Sequence, residues 1–160
     1  MSRHPPSFLP LTKGNTMSIT VTRILEFDAA HRLLEHKGKC RFLHGHRYKA
    51  EIEVYCPELD DQGMIVDFSF IKEKIGGWID QNWDHNTILH PGDDLRYTQF
   101  LWIEKAPYIM PVDHPNPTAE NLAIVLANIV ALNLPHQLQL DKLTIWETPN
   151  CKACLDYDGG

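Results

Sequence analysis

Apolar and polar positions alternate from the start of the patterned chain. Ile19, Val21, Arg23, Leu25 and Phe27 take turns with Thr20, Thr22, Ile24 and Glu26, the period of a β-strand. A second run, roughly His46 to Cys56, sets Tyr48, Ala50, Ile52, Val54 and Cys56 on one face and Lys49, Glu51, Glu53 and Tyr55 on the other. One buried face and one wetter face suit an antiparallel sheet covered on one side. After a turn-rich break from Pro57 to Met64 the period changes. Phe68, Ile71, Ile75, Trp78 and Ile79 fall near helical spacing, with Asp67 or Ser69 able to cap a helix running to about Asn82. Gly76-Gly77 inside it weakens the helix or allows close packing on the sheet. Thr118 caps a second helix, Ala119 to about Asn133, with Leu122, Val125, Leu126, Ile129 and Val130 as its apolar stripe. Two more strands follow, Lys142 to Thr148 and about Cys154 to Tyr157. The order ββααββ predicts an α+β fold, an antiparallel sheet with both helices on one face. Its open edges favour pairing with neighbouring subunits.

Two stretches lack this order. Residues 1–16 show no periodicity and read as a disordered N-terminal extension, leaving 17–160 as a single domain. Their apolar part, Phe8 to Leu11, is too short for a signal peptide. Leu89 to Pro117 is long and irregular, yet it carries Tyr97, Phe100, Trp102 and Tyr108. So many aromatics predict packing against a neighbouring subunit or over a pocket mouth.

The net charge of −6 argues against a partner held through nucleic-acid phosphates, and no apolar run is long enough to cross a membrane. Four cysteines at irregular spacing do not form a disulfide framework, which points to a reduced, cytoplasmic setting.

The candidate chemistry lies in Cys40-Arg41-Phe42-Leu43-His44-Gly45-His46, together with His31. Histidines at i and i+2 of a strand share a face. With His31 they make three imidazoles, able to hold Zn²⁺ with a position left open for catalysis. Cys40 lies among Lys37, Lys39 and Arg41, whose charges favour a thiolate base or nucleophile. Asp84-His85 can complete a proton relay with it. Glu147 is a carboxylate in a strand: either a solvent-facing residue or an acceptor of two parallel N–H bonds from an aminopyrimidinone ring. Cys151 and Cys154 resemble half of a zinc knuckle, a weak signal without a second pair.

These residues, with Phe27-Asp28-Ala29-Ala30-His31-Arg32-Leu33, Ile65-Val66-Asp67-Phe68, Trp83-Asp84-His85-Asn86 and Asn116-Pro117-Thr118-Ala119-Glu120-Asn121, resemble the 6-pyruvoyl-tetrahydropterin synthase family. That family includes the bacterial 6-carboxy-tetrahydropterin synthases of queuosine biosynthesis. The resemblance implies the tunnelling fold, a homohexamer built as a dimer of trimers, and zinc on His31, His44 and His46. It implies Cys40, Asp84 and His85 as catalytic residues in a site formed between subunits. Glu147 corresponds to the pterin anchor, and Thr118 falls in a segment lining the pterin pocket. The implied substrate is 7,8-dihydroneopterin triphosphate. Loss of acetaldehyde and triphosphate would give 6-carboxy-5,6,7,8-tetrahydropterin. The alternatives are the pyruvoyl product, which keeps the side chain, and a zinc-holding binder of pterins or purines without turnover.

Overall fold

The computed structural model describes residues 19–98 and 105–157. The expected extension at residues 1–16 lies outside them. Strands β1 (Thr20–His31) and β2 (His44–Tyr55) form a long antiparallel hairpin, and β5 (Gln139–Thr148) and β6 (Cys151–Asp156) form a second. β2 and β5 join the hairpins, so the four strands expected from the sequence lie together and antiparallel.

The sheet gains two further strands. β3 (Asn86–Leu89) runs parallel to the end of β1, and β4 (Tyr108–Ile109) runs parallel to β3, giving the order β4-β3-β1-β2-β5-β6. Four and two residues are too few to show a period, which is why they were not legible.

The first helix is continuous from α1 (Phe68–Ile71) through a widened π turn at Lys72–Gly76 into α2 (Gly77–Asn82). The Asp67 side chain caps it by accepting from the Ser69 N–H. The widened turn keeps Ile71, Ile75 and Ile79, four residues apart, together on the buried face. Gly76 is buried there, and a Cβ on it would stand 3.6 Å from Leu25. α3 (Ala119–Asn133) has Thr118 as its cap and buries Leu122, Val125, Leu126 and Val130. Both helices cover one sheet face, against Leu25, Phe27, Ile52, Val54, Leu143 and Ile145.

Tyr108 packs edge-on to Trp78 and Trp83 of its own chain, with ring centroids 5.8 and 6.0 Å away, and lies half-buried against this chain's core. Tyr97 is exposed, while Phe100 and Trp102 fall outside the described residues. Part of the long segment is tied down by a buried carboxylate. Asp93 accepts from Arg32 Nε and Nη2 at 2.7 and 2.5 Å. Burial alone would raise the Asp93 pKa, but the bonds from Arg32 and from the Leu95 N–H outweigh it and hold it below the ordinary value. This clamp fixes the chain just beyond His31.

Candidate active site

Strand register assembles the three histidines. His31 at the end of β1 lies directly opposite His44 at the start of β2, and His46 lies opposite Ala29. Directly opposed residues point to the same face, here the helix-covered one. Ring centroids are 4.6 Å apart for His31–His44, 5.1 Å for His31–His46 and 4.9 Å for His44–His46. One nitrogen from each lies within 4.8 Å of the other two. Gly45 permits this closeness, because a Cβ there would stand 3.2 Å from the Ala29 carbonyl oxygen.

The second ring nitrogens decide the chemistry. His31 Nδ1 lies 2.7 Å from the Pro117 carbonyl oxygen, and His44 Nδ1 lies 2.7 Å from that of Phe42. A carbonyl only accepts, so each Nδ1 donates its proton and each Nε2 keeps a lone pair. The Nε2 atoms of His31 and His46 are buried without a hydrogen-bond partner. Orphaned lone pairs converging in this way fit a divalent metal ion.

Burial, reinforced by the neighbouring imidazoles, lowers the His31 pKa to about 4 although its bond to Pro117 opposes this; burial also lowers that of His46. The folded state therefore resists protonation. The unfolded chain takes up the proton first, and stability present above about pH 6.5 drains away as the pH falls toward 4. For metal-free protein we expect His31 alone to cost about 2 kcal/mol between pH 7 and pH 5. Urea unfolding at both pH values checks this against a His31→Asn variant, whose pH slope should be flatter. Identical slopes would refute the assignment.

Glu147 and Tyr48 share this face. Leu143, Ile145 and Glu147 have the same parity on β5, so Glu147 points inward with the core residues rather than to solvent. Its Oε1 lies 3.6 Å from His31 Nε2 and 4.0 Å from His46 Nε2. Tyr48, two residues beyond His46, is wholly buried, stacks on Phe27 at 5.1 Å, and leaves its hydroxyl unpartnered. Burial, then the charges of Glu147 and Cys40, push its pKa above the ordinary phenol value. Cys40 sits in a single 3₁₀ turn, Lys39–Arg41, as a half-buried free thiol.

Asp84 and His85 form their pair at the end of α2. His85 Nδ1 lies 2.7 Å from Asp84 Oδ2, and Asp84 Oδ1 accepts from the Asp28 N–H at 2.9 Å. Burial would raise the Asp84 pKa, but the bonds from Asp28 and His85 and the charge of Lys105 bring it below its usual value. His85 holds a left-handed φ of 50° that is uncommon for a histidine, and its N–H donates to the Asp28 carbonyl at 2.7 Å. The ring is well exposed at 78%. Among the described residues no hydrogen bond joins either member to Cys40. His85 borders a cleft of about 970 Å³ that also touches Gly45, His46, Arg47 and Thr87.

The Asn116–Asn121 motif has a local role. Thr118 Oγ1 accepts from the Asn121 N–H, Asn121 Nδ2 donates to the Asn116 carbonyl, and Asn116 Oδ1 accepts from the Leu34 N–H. The motif thus holds the Pro117 carbonyl against His31. Cys151 and Cys154 are exposed, lie on alternate faces of β6, and join no metal-binding cluster among the described residues.

The sequence profile described as 6-pyruvoyl tetrahydropterin synthase matches residues 20–158. The chain belongs to this family. A relative from Rickettsia bellii, named 6-carboxy-5,6,7,8-tetrahydropterin synthase, is 41% identical over 137 residues, 83% of this chain and 96% of its own. A protein of the same name from Haemophilus influenzae is 31% identical, covering 81% of this chain and 92% of its own. The 6-pyruvoyl tetrahydropterin synthase structure from Caenorhabditis elegans superposes with a TM-score of 0.63 at 25% identity, covering 89% of this chain and 97% of that one. An uncharacterized Wolinella succinogenes protein shares the fold with a TM-score of 0.75 at 20% identity, over 89% of this chain and all of the other. The subunit therefore has the tunnelling fold. Among the described residues no helix is long and apolar enough to cross a membrane.

Proposed function

We propose that this chain is a zinc-dependent 6-carboxy-5,6,7,8-tetrahydropterin synthase acting on 7,8-dihydroneopterin triphosphate, with acetaldehyde and triphosphate as the other products. One observation carries the reading: three converging imidazoles, two of them with buried, unpartnered nitrogens, share a sheet face with Glu147, in a chain 41% identical to a synthase of that name. His31, His44 and His46 hold the ion, which when bound supplies Lewis-acid polarisation of hydroxyl and carbonyl oxygens. Pro117 and Phe42 fix two of the rings through their Nδ1 protons. Glu147 accepts two N–H bonds from the aminopyrimidinone edge, with the Thr118 segment beside it. Cys40 removes or returns a proton at the substrate's side-chain carbons, and His85, oriented by Asp84, exchanges that proton. Retention of this proton machinery favours turnover over simple binding.

Supplying dihydroneopterin triphosphate and identifying the product by mass spectrometry tests the reading. A 6-carboxy product with acetaldehyde supports it, whereas a three-carbon side chain retained on the ring would make this the pyruvoyl enzyme.

The assembly is read as a homohexamer, a dimer of trimers, in which one subunit's Asp84 and His85 serve Cys40 of a neighbour. The exposure of His85 and its lack of a bond to Cys40 support this. Co-refolded Cys40→Ala and His85→Ala chains should regain activity that neither variant has alone, because mixed interfaces contain intact sites. No recovery in verified mixed oligomers would place the relay within one chain.

A further inference from the structure

Glu147 stands unusually close to the metal-binding nitrogens for a residue whose role is to hold a ring. Its Oε1 is 3.6 and 4.0 Å from the Nε2 atoms of His31 and His46, the two nitrogens left buried and unpartnered. Donors on one zinc ion, with bonds of 2.0–2.1 Å at tetrahedral angles, stand about 3.3 Å apart. The carboxylate is thus within a small side-chain rotation of that spacing. It lies beside His31 and His46 and outside the mutual 4.8 Å spacing that includes His44. At 28% exposure the side chain has room to turn. Among the described residues these two histidines are its only ion-pair partners. A carboxylate facing the His31 Nε2 lone pair across such a gap is repelled by it, unless a cation lies between.

We propose that Glu147 is a fourth protein donor to the metal in the ligand-free enzyme, and that it leaves the metal when a pterin ring engages its carboxylate. The proposal rests on the metal and pterin reading above. Its consequence is that ring recognition itself frees coordination space: the group that reads the ring is the group that closes the metal centre. A molecule lacking the aminopyrimidinone edge meets a centre that is still closed.

Cobalt(II) in place of zinc gives the test, because its visible absorption reports the donor set directly. The full chain and its Glu147→Gln and Glu147→Asp variants are loaded with cobalt and titrated with a chelator. Both variants should hold the metal at least about 100-fold more weakly, with an altered visible band, because neither offers a carboxylate at the required reach. If the charge acted only through space, Glu147→Asp would keep the parent's affinity and band. Unsubstituted pterin, which has the ring but no hydroxyl side chain, should move the parent's band toward that of Glu147→Gln and leave the variant's band in place. Parent-like bands and affinities in both variants, or pterin binding that leaves the parent's band unmoved, would overturn the proposal. A parent chain that takes up no cobalt or zinc would instead defeat the metal reading, and this proposal with it.

Discussion

His44→Ala is expected to lose its metal and, with it, nearly all turnover, while the fold survives. His44 is the ligand best suited to this test because it is half-buried at the start of β2, whereas His31 is almost completely buried within the core. Truncating His44 removes one of three imidazole donors and opens no large cavity. Losing an outer-shell partner of a metal ligand costs about 10–100-fold in affinity, so losing the ligand itself should cost at least about 100-fold. Metal analysis after gel filtration, paired with a thermal unfolding curve, separates loss of metal from loss of structure. Full metal occupancy in this variant would show that the imidazole cluster does not bind the ion as assigned.

Cys40→Ala should give the opposite combination, with metal retained and turnover lost. The thiol lies on a short 3₁₀ turn outside the cluster of imidazoles and takes no part in holding the sheet together. Its removal leaves the ion, the Glu147 carboxylate and the Asp84–His85 pair in place. Positioned proton transfer contributes about 10²–10⁴-fold, and the fall in kcat should lie in that range with KM little changed. A variant turning over within a few-fold of the parent would move the base role elsewhere, with His85 the next candidate. With these outcomes the two substitutions would divide the site into a part that binds metal and a part that moves protons.

Much of this is legible in the amino-acid sequence itself. The alternation through β1 and β2 names the buried face, and His44 and His46 share that face because they stand two positions apart. Thr118 reads as a cap because its hydroxyl precedes a clear apolar stripe. The groups that tune the site were hidden for different reasons. Pro117 acts through its carbonyl, which every residue possesses, so no side chain announces it. Tyr48 reads as one more core aromatic, since nothing in the pattern shows that its hydroxyl would be left unpartnered. Glu147 has the right parity, but its approach to His31 depends on the register of β5 against β2, a long-range pairing that no local pattern encodes. The same limit hid β3 and β4, which owe their strand form to the edge they join.

The opposition of His31 to His44 has a consequence for how the chain reaches its fold. All three imidazoles lie on one hairpin, at positions 31 to 46, whereas the carbonyl that orients His31 comes from 86 residues away. Closing the longer span costs roughly 1.5 kcal/mol more chain entropy than closing the fifteen-residue one. A slip of one residue between β1 and β2 would turn His31 away from its partners. An ion bound by the hairpin alone would therefore act as a proofreader of strand register, favouring the one alignment in which three imidazoles meet without help from the distant segments.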